Sequence, residues 1–340
     1  MLCASLLLVV PLGLLQDAPP APTPVPSALE RVAFLGASLT DGFGLSSELD
    51  APMKLAGIFT LALQGSSALT VHDLGDSNFF SDPTGVGRRA QERARALEPT
   101  LVVAADFLFW FAYGYLDGCD PRGGRLQTGL DLLAGFECPV VVGDLPDMSP
   151  ALKGRSPMTG GRPLLAREQI PADRCLAALN ARITAWAEAR PNVHVFPLSR
   201  FAEAVHQEGV LEVRGNRYDE ERKRTLMQED LLHPTASGAV AAVVSILDTL
   251  ASADVLDDEQ VLWDAAALEK AVWEATAEER EEKARRAAKR EERRKRREEK
   301  KRETPTPEVG DGEGGEDRQL EERGEDAARA GAADQRRGAA

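Results

Sequence analysis

A serine and a histidine nearly 200 residues apart each sit in a phrase suited to acyl transfer. Ser38 lies in Phe34-Leu35-Gly36-Ala37-Ser38-Leu39-Thr40-Asp41-Gly42, and His233 in Asp230-Leu231-Leu232-His233-Pro234-Thr235. The apolar run Arg31 to Leu35 feeds the Gly-flanked serine, a setting in which a sharp turn can present a hydroxyl at the carboxyl edge of a sheet. The distant Asp-x-x-His phrase supplies a base and, within one helical turn of it, a carboxylate to orient it. In that chemistry His233 takes the Ser38 proton as the oxygen attacks an ester carbonyl. Asp230 fixes the imidazole tautomer and stabilises the imidazolium, and water then hydrolyses the acyl-enzyme. No metal and no cofactor are called for.

The same residue types also have plain structural uses. A serine after a strand caps a turn or helix, and Asp-x-x-His before Pro-Thr can cap the next helix. The co-occurrence of both phrases on one strand pattern favours chemistry. The other histidines compete poorly: His72 and His194 fall in strand-like runs, and His206 lies on a polar helical stretch. Asp41 reads as a turn or helix-start residue, because no second histidine stands near it for a carboxylate to orient.

From Ala28 to about Ala253, short β-branched runs alternate with amphipathic stretches, the pattern of a parallel sheet covered on both faces. The strands read as Arg31 to Leu35, Leu69 to Leu74, Leu101 to Ala105, Pro139 to Val142 and Val193 to Phe196. The helices between them read as Pro52 to Gln64, Gly85 to Leu97, Arg125 to Ala134, Ala172 to Ala189 and Ala236 to Leu250, most of them bounded by Pro or Gly. This predicts a three-layer α/β/α domain on a five-stranded parallel sheet. Its ligand site lies beyond the carboxyl ends of the strands, where the loops after Leu35, Leu74 and Ala105 meet.

The two phrases, in this order and framing this strand pattern, resemble the SGNH or GDSL-like hydrolases, a family with a flavodoxin-like domain of similar length. The resemblance implies a serine esterase with Ser38 as nucleophile, His233 as base and Asp230 as its partner. Ala37 stands where the family has an aspartate. The family's oxyanion donors are the serine N–H, a glycine N–H after the second strand and an asparagine after the third. Here the second-strand loop reads Leu74-Gly75-Asp76-Ser77-Asn78-Phe79-Phe80, which puts Asn78 near the glycine position; Gly75 and Gly85 are weaker candidates. The third-strand loop reads Ala105-Asp106-Phe107-Leu108-Phe109-Trp110-Phe111 and has no asparagine. The expected hole therefore consists of Ser38 and Asn78. Either Asn78 replaces the missing donor, or the site binds its ligand and turns it over poorly.

Aromatic residues make up 5% of the chain, so the run Phe107 to Phe111 stands out. Starting at the end of the third strand, Phe107, Phe109 and Trp110 are expected to wall an acyl pocket, with core packing as the equally weighted use. Asp106, at the head of the run, is placed to accept a hydrogen bond from the Ser38 loop. The stretch Asp144 to Ile170, rich in Gly, Pro and Arg, reads as a long mobile loop over the site.

The composition limits the remaining classes. With 340 residues and 43% hydrophobic content, the chain can bury one sizeable core, and a formal charge of −14 argues against specific nucleic-acid binding. Residues 1–17 read as a signal peptide and 18–27 as a Pro/Ala-rich linker, so export to a periplasmic or extracellular space is expected, with no stable membrane span after cleavage. Without the leader, Cys119, Cys138 and Cys175 remain; one disulfide is allowed and the pairing is open. Residues 254–273 read as an added helix that packs back on the 28–253 domain. Residues 274–303 read as a charged, solvated helix, and 304–340 as a disordered tail whose partner is open. The expected substrate is a small or polymeric acyl ester.

Overall fold

Along strand β1 (Arg31–Gly36), Val32 and Phe34 face one side and Ala33 and Leu35 the other, and all four are fully buried. A strand with two apolar faces needs cover on both sides. The computed structural model describes residues 28–64 and 69–303, except the side chains of 300–303. The expectations for the leader, the linker and the tail lie outside the described residues. The chain divides into two compact units between Arg285 and Arg286.

In the first unit, β1 pairs with β2 (Thr70–Gly75) and β3 (Leu101–Ala104), and β4 (Val140–Gly143) and β5 (Val193–Phe196) follow. All pairings in this five-stranded sheet are parallel and the order is β2-β1-β3-β4-β5. This is the flavodoxin-like order, with its switch point between β1 and β3. In chain order the helices are α1 (Leu45–Glu48), α2 (Leu55–Ala62), α3 (Pro83–Ala96), α4 (Phe109–Ala112), α5 (Cys119–Leu133), α6 (Asp173–Glu188), α7 (Leu198–His206), α8 (Glu220–Lys223), α9 (Ala236–Ser252), α10 (Ala265–Ala275) and α11 (Ala277–Glu303). Helices α2, α9 and α10 cover the Val32/Phe34 face, and α3, α5 and α6 cover the Ala33/Leu35 face. The result is a three-layer α/β/α domain with a five-stranded parallel sheet.

Most boundaries follow from local chemistry. Helix α3 starts at Pro83, two residues before the predicted Gly85, because Asp82 caps it through the Gly85 N–H at 2.9 Å and proline suits the first helical position. Helix α5 starts at Cys119, six residues earlier than predicted. Pro121 falls in its first turn, where proline is tolerated, and a Cys119–Cys175 disulfide ties this end to α6. Nearby, the buried Arg122 guanidinium donates to the carbonyls of Ala112, Leu116, Glu168 and Gln169. The sequence reading missed a short antiparallel hairpin, β6 (Leu211–Val213) with β7 (Asn216–Tyr218); the helical stretch it placed at His206 is the end of α7.

Helix α9 carries Val240, Val243, Val244, Ile246, Leu247 and Leu250, all fully buried against the sheet. Each such side chain contributes about 1.5–3 kcal/mol of burial free energy, which makes α9 a main anchor of its layer. Thr235 caps its start, accepting from the Gly238 N–H at 3.2 Å. The added helix is present as α10, which starts after the Asp264 cap and buries Leu268 and Val272. Helix α11 carries exposed i,i+4 pairs such as Glu281–Arg285 and Glu292–Arg296, the latter at 2.9 Å. No helix among the described residues is long and apolar enough to cross a membrane.

Candidate active site

The turn after β1 is held from below by one buried carboxylate. Asp106, just past β3, accepts from the Ala37 N–H at 3.0 Å and from the Thr40 hydroxyl at 2.6 Å on Oδ1, and from the Leu39 N–H at 2.8 Å on Oδ2. Burial pushes the Asp106 carboxyl up from its ordinary value, against the downward pull of these donors. The fit leaves no room for a side chain at position 36: a Cβ on Gly36 would stand 2.1 Å from both Asp106 Oδ1 and Thr40 Oγ1. Ser38 lies at the top of this turn, partly exposed, and its carbonyl accepts from the Phe43 N–H at 2.9 Å. Among the described residues, no protein group takes the Ser38 N–H, which stays free to donate.

The second phrase forms a tight loop before α9. Asp230 Oδ1 accepts from the backbone N–H groups of Leu232 and His233, each at 2.9 Å, and Oδ2 lies 2.8 Å from His233 Nδ1. Burial pushes the Asp230 carboxyl up, but the hydrogen bonds and the charge of His233 outweigh it and hold the group below its ordinary value. A carboxylate on Nδ1 fixes the proton there and leaves Nε2 as the basic nitrogen. Both side chains are buried. Leu231 takes a left-handed φ of 53°, a costly conformation that turns the chain back between the two residues. Gly154 seals the loop from outside, and a Cβ there would stand 1.9 Å from the Asp230 carbonyl oxygen.

Ser38 and His233 line one cavity of about 70 Å³. No direct hydrogen bond joins them among the described residues; such contacts commonly tighten only once a ligand is bound. Apart from Ser38, His233 and Asp106, the walls are apolar: Phe109, Pro146, Met148, Leu198, Phe201 and neighbouring residues. Of the three expected pocket aromatics, only Phe109 is there. Phe107 is fully buried beneath the turn, in edge contact with Phe79 at 5.3 Å, because α4 starts at Phe109 and rotates residue 107 into the core. Trp110 is half-buried and absent from the cavity wall; it packs against Phe80 at 5.8 Å and edge-on against Phe109 at 5.2 Å. Of the 144–170 stretch, Pro146 and Met148 line the cavity, and this first part of it is held in place. The buried Tyr113 hydroxyl donates to the Pro146 carbonyl and accepts from the Met148 N–H, and Asn180 brackets Leu145 with two bonds of 2.8 Å.

The loop after β2 differs from expectation at Asn78. Its backbone N–H donates to Asp76 Oδ1 at 2.8 Å, and the residue is exposed and absent from the cavity wall. The neighbouring N–H groups are also committed: Gly75 to Asp73, Asp76 to the Gly36 carbonyl, Ser77 to Asp41 and Phe79 to the Asp76 carbonyl. Only the Asn78 side-chain amide remains as a donor from this loop. Gly85 is also engaged, as the residue capped by Asp82. Asp41 ties the serine turn to β2 through Ser77 and through Lys54, which also pairs with Asp73, both at 2.6 Å. His72, His194 and His206 lie away from the cavity wall.

Two further residues of the site carried no signal in the sequence. Phe43 stacks on His233 with ring centroids 4.2 Å apart, and Gln228 bonds to both loops. Asp106 did carry one, as a lone carboxylate at the head of the aromatic run.

Ser38 and the His233–Asp230 pair therefore share one apolar cavity in a three-layer α/β/α domain with a parallel sheet. No family model matches the chain, and no curated protein sequence matches it. Solved structures do resemble it. A gut microbial diltiazem-metabolizing enzyme is 12% identical with a TM-score of 0.43, over 65% of this chain and 46% of that one, so the chain spans under half of that protein's length. A candidate acylhydrolase from Bacteroides fragilis is 16% identical with a TM-score of 0.40, over 67% of this chain and 88% of that one. The psychrotrophic esterase EstA from Pseudoalteromonas, inhibited by monoethylphosphonate, is 15% identical with a TM-score of 0.39, over 66% and 97%.

Proposed function

We propose that this protein is an exported serine esterase of the SGNH type. It hydrolyses acyl esters of carbohydrate or lipid character through Ser38, His233 and Asp230. The observation that carries this reading is the buried contact of His233 Nδ1 with Asp230 Oδ2 at 2.8 Å, on a histidine that shares one apolar cavity with Ser38. Ser38 attacks the ester carbonyl as His233 Nε2 takes its proton. The same proton then passes to the departing alcohol, and water activated by His233 releases the acid. The unpartnered Ser38 N–H stabilises the oxyanion. The acyl chain lies among Phe109, Met148 and Phe201. The Cys119–Cys175 disulfide supports an oxidising compartment, as export requires.

One observation favours a second reading. The backbone donors after β2 are all engaged, so a ligand-binding protein of this fold with little turnover is the alternative, since a lost oxyanion donor costs about 10² to 10³ in rate. Release of p-nitrophenol from p-nitrophenyl acetate separates the two. The esterase reading expects a pre-steady-state burst stoichiometric with protein, absent in Ser38→Ala. Equal inactivity of wild type and Ser38→Ala across acetyl esters, longer acyl esters and lysophospholipids would sink it.

A further inference from the structure

The two halves of the site come from opposite ends of the domain, and Gln228 joins them. Its Nε2 donates to the Phe43 carbonyl at 2.7 Å and to the Pro234 carbonyl at 2.8 Å. Both partners are acceptors only, so the amide has one orientation that works, nitrogen toward the carbonyls. The Gln228 main chain adds to the join: its N–H donates to the His233 carbonyl at 2.9 Å, and its carbonyl accepts from the Leu231 N–H at 3.0 Å. On the other side, Phe43 donates its N–H to the Ser38 carbonyl at 2.9 Å and lays its ring on His233 at 4.2 Å and 30°. Gly44, at φ 83°, leaves the space this side chain needs; a Cβ there would stand 2.3 Å from Gln228 Oε1.

From this arrangement we infer that Gln228 is a positioning residue that sets the spacing of Ser38 and His233 by clasping the serine turn at Phe43 to the histidine loop at Pro234. Its own side chain does not line the cavity; it reaches the site through two wall residues, Pro234 and His233. It acts through the Phe43 ring, whose stack fixes the plane of the imidazole, and through the Pro234 carbonyl, which fixes the loop that carries it. Reactivity depends steeply on such alignment, so loss of the clasp affects turnover rather than binding.

The inference rests on the esterase reading for its kinetic arm and is independent of it for its spectroscopic arm. Gln228→Met keeps the length of the side chain and removes the donor; Gln228→Glu keeps the shape and sets a carboxylate against two carbonyl oxygens. For Gln228→Met on p-nitrophenyl acetate, kcat is expected to fall about 10- to 100-fold with KM within about twofold, as for loss of an alignment that acts only in the transition state. For Gln228→Glu, the ratio of mutant to wild-type kcat is expected to rise as pH is lowered, since protonation restores one donor. In the histidine ring-proton NMR spectrum, His233 is expected to lose the upfield ring-current shift imposed by Phe43 in both variants. An unchanged His233 resonance in folded Gln228→Met overturns the clasp whether or not the wild type is an esterase. A rise in KM with kcat unchanged overturns the positioning role. Inactivity of wild type itself rejects the esterase reading and leaves the NMR shift to decide on the clasp.

Discussion

Asp106 Oδ2 holds the Leu39 N–H at 2.8 Å across 67 residues of sequence, so the end of β3 fixes the shape of the turn that follows β1. Removing the carboxylate strips three donors of their buried acceptor. Asp106→Ala is expected to cost about 3 kcal/mol or more in urea unfolding, since each orphaned buried donor costs about 1–3 kcal/mol. Among molecules still folded, kcat for p-nitrophenyl acetate should fall further than kcat in Asp106→Asn, which keeps one acceptor oxygen.

Gly154 serves the other half of the site. Its φ of −68° suits any residue, so the constraint is contact alone: the Asp230 carbonyl occupies the place of a Cβ. Gly154→Ala is expected to lower stability by about 1–3 kcal/mol through overpacking and to displace the Asp230 loop. A crystal structure or a thermal melt of the variant checks this; a melting temperature equal to wild type would mean the loop yields without cost.

The size of the cavity sets the expected acyl preference. About 70 Å³ bounded by Phe109 and Phe201 suits a short acyl chain. Phe201→Ala should shift the ratio of kcat/KM for p-nitrophenyl octanoate over acetate upward by about tenfold, in line with 1–3 kcal/mol for a few methylenes in an apolar pocket. Tyr115→Ala, exposed and outside the cavity, should leave that ratio unchanged.

Two carboxylates give opposite pH dependences of stability. Asp230 is held below its ordinary value of 3.8, so the native state binds that proton less tightly than the unfolded chain does. Its contribution is complete above about pH 3.8 and is lost as pH falls through the native value, and Asp230→Asn should flatten the acid limb of a urea-stability profile in that window. Glu48, which receives the Ala236 N–H at 2.8 Å, is raised above 4.5 by burial, partly offset by that bond. Its ionisation opposes folding, so its contribution is fullest below pH 4.5 and declines as pH rises through the native value. Glu48→Gln, which keeps an acceptor for Ala236, should remove that decline.

What could be read from the sequence divides along a physical line. The strands from Arg31 to Phe196 matched within a residue or two, because a doubly covered parallel sheet writes itself as short β-branched runs. The phrases around Ser38 and His233 were also legible, since their chemistry is local in each loop. Phe107 was misplaced because the aromatic run begins with a turn, Asp106 to Leu108, before α4, so helical spacing did not yet apply at that residue. Asn78 was misread because the acceptors that claim its loop, Asp73, Asp41 and Asp76, have no spacing rule that identifies them. Gln228 was invisible, since a glutamine that bonds two carbonyls 185 and 6 residues away leaves no pattern along the chain.

The Cys119–Cys175 bond and the pinned loop would still leave the site exposed to local opening if its two working loops were loosely rooted. They are not: Ser38 leaves the interior strand β1, paired on both sides, and His233 lies three residues before α9, whose apolar side chains are buried along most of its length. Elements of that kind open only with the whole domain. Heat inactivation should therefore coincide with global melting, and hydrogen exchange at Val240 to Leu247 should report the lifetime of the assembled site as faithfully as any ester assay.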